Sequence, residues 1–262
     1  MRSAATALRL GLLAMVVVVA LPVQYWGVRT DRPVAGRIPV LVHRLFLWLF
    51  GVRVRVIGTP PAAGSPTLVL ANHVSWLDIS VIGSLVPLSF VAKSEIAGWP
   101  VVGKLSAMQR TLFLDRSRKT ATAAANASIA RRLSAGDAVV LFPEGTTGDG
   151  LRLLPFRSSL IGAAKAALAE PRIDAVLLQP LALVYAGRRG LPVTRRELPE
   201  IAWYGDMELA PHLGAFVRGG PLDVVVVWGE PLTVDAATDR KRAAVEAEAA
   251  VSAAIRRIRA GG

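Results

Sequence analysis

The stretch NHVSWLD at 72–78 places a histidine and an aspartate five residues apart, the two side chains best suited to moving a proton. A neutral imidazole beside a carboxylate is held in one tautomer, and its second nitrogen is then free to take a proton from a hydroxyl. His73 is one of only three histidines in the chain, and it stands between the apolar runs TLVLA and ISVIGSLV. The carboxyl end of a buried strand is where α/β folds keep their ligand crevices. The same spacing also has a purely structural use. Ser75 and Asp78 are separated as in a capping box, and a carboxylate in a first helical turn is favourable without any chemistry. One H-x4-D match therefore does not decide between the two. A second stretch, LFPEGTTGDG at 141–150, again follows an apolar strand, and its proline, glutamate and three glycines suit close backbone approach to a ligand. Two such loops suggest a shared crevice.

For those loops to meet, their strands must lie side by side. Short β-type runs recur at 52–58, 67–71, 88–92, 111–115, 137–142, 175–185 and 223–229. Helices are expected from Ser75 onward, from Ser117 to Ser134 with Gly136 as a stop, from Ser158 to Ala169 before Pro171, and from Ala236 to Ala260. Strands this apolar are usually covered on both faces, so the pattern predicts an α/β sandwich with a largely parallel central sheet flanked by helices. The alanine-rich C-terminal helix reads as a solvated amphipathic cover, and its sequence says nothing about activity.

The N-terminus adds membrane-associated helices to this fold. Residues Leu10 to Val28 carry no charge and include Tyr25 and Trp26, an aromatic pair suited to a lipid headgroup boundary. A cleaved secretory signal would share the basic start and apolar run, but no clear small-x-small cleavage site follows, which favours an uncleaved anchor. Ile38 to Gly51, apolar but with His43 and Arg44 embedded, reads as an interfacial helix or a hairpin partner. The expected division is a membrane anchor with interfacial helix over 1–51 and a catalytic-sized domain over 52–262. Charge does not set the orientation, because Arg2 and Arg9 precede the apolar run while Arg29, Arg32 and Arg37 follow it.

Composition narrows the function classes. With 262 residues, the chain can bury one substantial core. The absence of cysteine excludes disulfides, thiolate metal sites and cysteine nucleophiles. A net charge of +12 implies an anionic partner, namely nucleic acid, an anionic lipid surface or an acidic substrate. Arginines are spread along the chain and no zinc-finger or RNA-binding signature is present, so nucleic acid becomes a minor reading. Beside anionic lipids each basic residue could add up to about 1 kcal/mol of attraction. No His, Asp and Glu spacing suggests a metal site, and His43 and His212 read as interfacial or packed histidines. The stretch 202–213 reads as a surface loop packed on the core.

Taken together, the motifs resemble the glycerolipid acyltransferase family. Its N-H-x4-D block is matched by NHVSWLD, its aromatic or aliphatic pair plus Asp-Arg by LFLDR, its F-P-E-G-T-R block by FPEGTT, and its later strand proline by LLQPLAL around Pro180. The four blocks occur in the family's order between about residues 67 and 185. The resemblance implies a membrane-associated O-acyltransferase that moves an acyl chain from acyl-CoA or acyl carrier protein to a lysolipid hydroxyl, with no bound cofactor and no metal. The first acceptor it implies is 1-acyl-sn-glycerol-3-phosphate, giving phosphatidic acid. It implies His73 as the base and Asp78 as its partner. Substrate contacts would come from Asn72, Lys93, Arg116, Glu144, Gly145, Thr146 and Arg157, with anionic membrane lipids as partners and the catalytic domain on the cytoplasmic side of the inner membrane.

One position departs from the family pattern. Thr147 stands where the family usually carries the arginine that helps bind the acceptor's phosphate. Threonine variants resemble bacterial lysolipid acyltransferases, including those acting on lyso-ornithine lipid, whose acceptor lacks the glycerol phosphate. Arg157 or Lys93 could supply the cation instead. Three further readings stay open at this stage: a transacylase drawing on phospholipid, a basic membrane lipid-binding protein without turnover, and a nucleic-acid binder, which would show steep salt dependence.

Overall fold

The computed structural model describes residues 2–114, 119–169, 173 and 175–261. Two helices open the chain, α1 (Arg2–Arg29) and α2 (Val34–Leu49), followed by β1 (Val52–Ile57), β2 (Thr67–Ala71), α3 (Leu77–Gly83) and β3 (Ser89–Lys93). Next come α4 (Val102–Met108), β4 (Leu112–Leu114), α5 (Lys119–Ser134), β5 (Ala138–Leu141) and α6 (Gly162–Ala167). The last part holds β6 (Val176–Arg188), β7 (Leu191–Pro192), α7 (Leu209–Gly219), β8 (Leu222–Trp228), β9 (Leu232–Val234) and α8 (Arg240–Arg259).

The strands form one sheet in the order β1-β8-β6-β2-β5-β3-β4, with β7 and β9 also paired to β6. From β6 to β4 every neighbouring pair is parallel, as expected of a sheet covered on both faces. β1 and β8 run parallel to each other, and β8 joins β6 antiparallel. That reversal lies beyond what strand periodicity can report. Alternation along the strands splits the interior into two cores. Leu68, Leu70, Val139 and Leu141 face one core with α5, α6 and α8, while Val69, Ala71 and Val140 face the other with α2, α3 and α7. All five residues of β2 are buried, which is why TLVLA reads as a continuous apolar run.

Several element boundaries differ from the sequence expectation. The helix expected from Ser75 begins at Leu77, because the 72–76 segment turns away from β2 before the chain coils. The helix expected over 158–169 is a 3-10 turn at Ser158–Ile161 leading into α6. The C-terminal helix starts four residues late. Asp235 and Thr238 close a turn, and Asp239 then caps α8 by accepting the Lys241 N–H at 2.7 Å. Part of 202–213 is helical: α7 begins at Leu209 and buries His212 and Phe216.

At the N-terminus α1 and α2 form a hairpin. Gly27 makes it possible, since a Cβ there would meet the Val34 side chain at 2.6 Å and the Ala35 backbone nitrogen at 3.2 Å. Gln24 ties the hairpin to the domain by donating to the Ala35 carbonyl at 2.9 Å and the Met108 carbonyl at 2.6 Å. Among the described residues, α1 is the one helix long and apolar enough to cross a membrane, and none of its apolar window is buried in the protein.

The central strand and the N-terminal helix should therefore respond differently to truncation. In detergent-solubilised protein, Leu68→Ala in the core is expected to cost about 2–5 kcal/mol. Leu8→Ala, at a site 75% exposed, should stay within about 0.5 kcal/mol. Denaturant titration of the two variants checks the contrast.

Candidate active site

β2 and β5 are parallel neighbours, so the loops leaving their carboxyl ends emerge side by side. On the first loop His73 Nδ1 lies 2.8 Å from Asp78 Oδ2. Asp78 is wholly buried, and the same oxygen accepts the backbone N–H groups of Val74 at 2.7 Å and Ser75 at 2.9 Å. The capping use of Asp78 and its pairing with histidine thus coexist in one carboxylate. Its other oxygen, Oδ1, accepts the Tyr185 hydroxyl at 2.5 Å. The carboxylate is the acceptor for Nδ1–H, which fixes the neutral imidazole with its lone pair on Nε2. His73 lines a narrow crevice, with its side chain 19% exposed.

The second loop locks onto the first. The Phe142 ring stacks on the His73 ring with centroids 3.9 Å apart and planes at 14°. Glu144 Oε1 accepts the His73 backbone N–H at 2.6 Å, and the His73 carbonyl accepts the Gly148 N–H at 2.9 Å. Glu144 Oε2 accepts the Leu154 N–H at 2.8 Å, so both carboxylate oxygens are engaged by backbone. Burial pushes the Glu144 carboxyl up to about 7, the two backbone donors oppose that shift, and the charges of Asp78 and Glu248 add to it.

Other residues singled out from the sequence are placed differently. The Asn72 side chain bridges to β6, donating to the Leu183 carbonyl at 2.9 Å and accepting its N–H at 2.7 Å. Gly145 adopts φ +78°, and the Arg157 guanidinium lies 3.1–3.3 Å from where a Cβ would stand. Arg157 therefore covers the loop next to Thr147, ten residues upstream in sequence. Thr146 is exposed on the same loop. Lys93 is exposed at the carboxyl end of β3 and does not line the crevice with His73. Arg116 lies outside the described residues. His212 is a packed histidine that accepts the Trp76 indole N–H at 3.0 Å and lies 3.0 Å from the Ala202 carbonyl.

Four residues around the crevice were not anticipated. Tyr185 reaches it from β6, and Arg152 and Arg259 also line it. Arg259 of α8 donates to the carbonyls of Gly150 and Leu151, and Glu248 of α8 accepts the Phe156 N–H at 2.8 Å. The C-terminal helix, read as a passive cover, in fact holds the loop that follows Glu144. No short-range spacing announces contacts made across some hundred residues.

A family model described as acyltransferase matches residues 53–184. The lyso-ornithine lipid O-acyltransferase of Brucella abortus (strain 2308) is 43% identical over 235 residues, covering 90% of this chain and 88% of that protein. The 1-acyl-sn-glycerol-3-phosphate acyltransferase of Neisseria gonorrhoeae is 41% identical over 109 residues, covering 41% of this chain and 43% of that protein. The crystal structure of the 1-acyl-sn-glycerophosphate (LPA) acyltransferase PlsC from Thermotoga maritima has the same fold. Its TM-score is 0.60 at 22% identity, with 99% of this chain and 98% of that chain covered.

The raised Glu144 pKa has a consequence for stability. Between about 4.5, where a free glutamate ionises, and about 7, the folded chain keeps a proton that the unfolded chain has lost. Stability from this group is complete below that window and declines as pH rises through it. Glu144→Gln should flatten that part of the melting-temperature profile. It should also lower the melting temperature at the acidic end, because an amide NH2 would face the His73 or Leu154 N–H. Thermal melts across the window check both.

Proposed function

The chain belongs to the glycerolipid acyltransferase family and is an O-acyltransferase, and from that premise we propose that it acylates the free hydroxyl of lyso-ornithine lipid. The observation that carries the choice of acceptor is the 43% identity to a lyso-ornithine lipid O-acyltransferase over nine tenths of the chain. Thr147 agrees with it, since the arginine suited to a glycerol phosphate is missing. An ornithine headgroup offers a carboxylate and an amine where glycerol phosphate offers a more highly charged anion. The Arg157 guanidinium above Gly145 supplies a donor suited to a carboxylate. A second reading, acylation of 1-acyl-sn-glycerol-3-phosphate, is favoured by the 41% identity to the Neisseria gonorrhoeae enzyme across 109 residues.

The chemistry follows from the dyad. His73 Nε2 removes the acceptor hydroxyl proton as the oxygen attacks the thioester carbonyl of acyl-CoA or acyl carrier protein. The buried Asp78 carboxylate stabilises the imidazolium that forms, and that imidazolium returns the proton to the departing thiolate. No acyl-enzyme is required. Glu144 orients the His73 main chain, Gly145 and Thr146 form the acceptor side, and Asn72 acts by aligning β6 more than by touching substrate. Lys93 and Arg116 are assigned to the donor's phosphate or the membrane surface. Residues 1–51 serve as anchor and interfacial hairpin and 52–262 as the transfer domain. The chain's net charge of +12 draws it to anionic lipids on the cytoplasmic side of the inner membrane.

Purified protein incubated with each acceptor and each thioester donor, with products read by lipid mass, tests the proposal. Acylated lyso-ornithine lipid is expected as the main product. Exclusive turnover of 1-acyl-sn-glycerol-3-phosphate would transfer the assignment to the second reading. His73→Ala should lower turnover by roughly 10²–10⁴-fold while the protein stays folded, as circular dichroism checks. Arg157→Gln should raise the acceptor KM more than it lowers kcat.

A further inference from the structure

Beyond the histidine–aspartate pair, β6 delivers a third polar side chain to the same carboxylate. Tyr185 is 7% exposed and its hydroxyl donates to Asp78 Oδ1 at 2.5 Å, while the other three donors to Asp78 all converge on Oδ2. Tyr185 is therefore the sole donor to Oδ1 among the described residues. Burial and the adjacent Asp78 charge push the phenol pKa well above its ordinary value, which keeps the hydroxyl a donor throughout the working range.

The placement of that hydroxyl has an identifiable cause. β2 and β6 pair in parallel register as far as Ala71 and Leu181. One step further the Asn72 side chain takes over, accepting the Leu183 N–H and donating to the Leu183 carbonyl. Side chains two apart on a strand share a face, so fixing Leu183 fixes Tyr185 above α3. Directly after Tyr185 the pairing of β6 with β8 shifts register before Gly187, an irregularity of the kind that re-aims a side chain. Asn72 therefore indexes the strand and Tyr185 reaches the carboxylate.

We infer that Tyr185, indexed by Asn72, is a positioning residue that completes a Tyr185–Asp78–His73 relay and sets the proton affinity of the histidine–aspartate pair. The inference rests on the acyl-transfer reading of His73 and Asp78. A hydroxyl bonded to Oδ1 stabilises the ionised carboxylate and holds its plane toward His73 Nδ1. Removing that donor raises the proton affinity of the coupled pair, whichever member takes the proton. The titratable group facing the pair from the loop after β5 is Glu144, itself influenced by Glu248 of α8. Arg152 and Arg259 line the crevice, and His212 of α7 is engaged by Trp76 and Ala202. These groups remain in place when the Tyr185 hydroxyl alone is removed.

The test compares purified wild type, Tyr185→Phe, His73→Ala and protein carrying 3-fluorotyrosine at position 185, using pH–rate profiles of acyl transfer. Tyr185→Phe is expected to lower kcat about 10-fold or more, with KM for both substrates within about two-fold. The acid limb of its profile should move up by about one pH unit. The fluorinated phenol, a stronger donor of nearly the same shape, should move the limb down. An inactive wild type, or an active His73→Ala, would strike at the acyl-transfer reading itself. With wild type active and His73→Ala inactive, a Tyr185→Phe profile superimposable on wild type would overturn the relay. So would loss of activity confined to a lower melting temperature, with the fluorotyrosine limb unmoved.

Discussion

A carboxylate with no exposure to solvent has to be surrounded by donors, and the architecture around Asp78 follows from that requirement. Leaving such a charge without partners would cost several kcal/mol. Val74 and Ser75 supply backbone N–H groups only if the chain turns sharply on leaving β2. His73 supplies Nδ1 only if its ring stands beside the turn, and the Phe142 face holds it there. Tyr185 reaches Oδ1 only if β6 runs next to β2 in the observed register. One buried charge thus fixes a loop, a ring plane and a strand position. Conversely, with both its oxygens bonded, the Asp78 carboxylate needs no water to satisfy it.

The two motif loops are coupled as tightly as the side chains. Backbone from the first loop bonds the Glu144 carboxylate, backbone from the second bonds the His73 carbonyl, and the two rings stack between them. A loop placed by three independent contacts has little freedom to drift from His73. α8 extends this rigidity outward through Glu248 and Arg259. The geometry of the candidate site is therefore held by elements from β2 to the C-terminal helix, although the His73–Asp78 pair itself spans one short loop and the first turn of α3.

Much of this was legible before any coordinates. Continuous apolar runs announced strands buried on both faces, and β2 and β5 are such strands. The pairing of His73 with Asp78 was readable because five residues of chain suffice to bring them together across a turn. The antiparallel join of β8 to β6 was not readable, because periodicity reports which faces are buried and is silent on strand direction. α7 was hidden inside a stretch whose aromatic and acidic residues imitate a surface loop. Tyr185 was hidden for another reason: in LALVY it reads as one more apolar strand residue, and its hydroxyl gains meaning only when α3 lies beneath it. Local chemistry is written in spacing, whereas long-range chemistry is written in topology.

The same distinction bears on acceptor choice. A motif arginine at position 147 would place its charge by sequence adjacency, within the loop it serves. Here the guanidinium over Gly145 comes from Arg157, brought back by the hydrogen bond from its own N–H to the Pro143 carbonyl at 2.9 Å. A glycine at position 145 matters twice over: its φ of +78° makes the turn, and its missing Cβ leaves the space that the guanidinium fills. The Arg157 residue is exposed, so its guanidinium stands over the loop within reach of an incoming headgroup. A guanidinium there offers a planar pair of donors to an anionic group on the headgroup. A guanidinium that reaches the loop from position 157 and not from position 147 meets a headgroup from a different side, while His73 and Asp78 keep the same relation to each other.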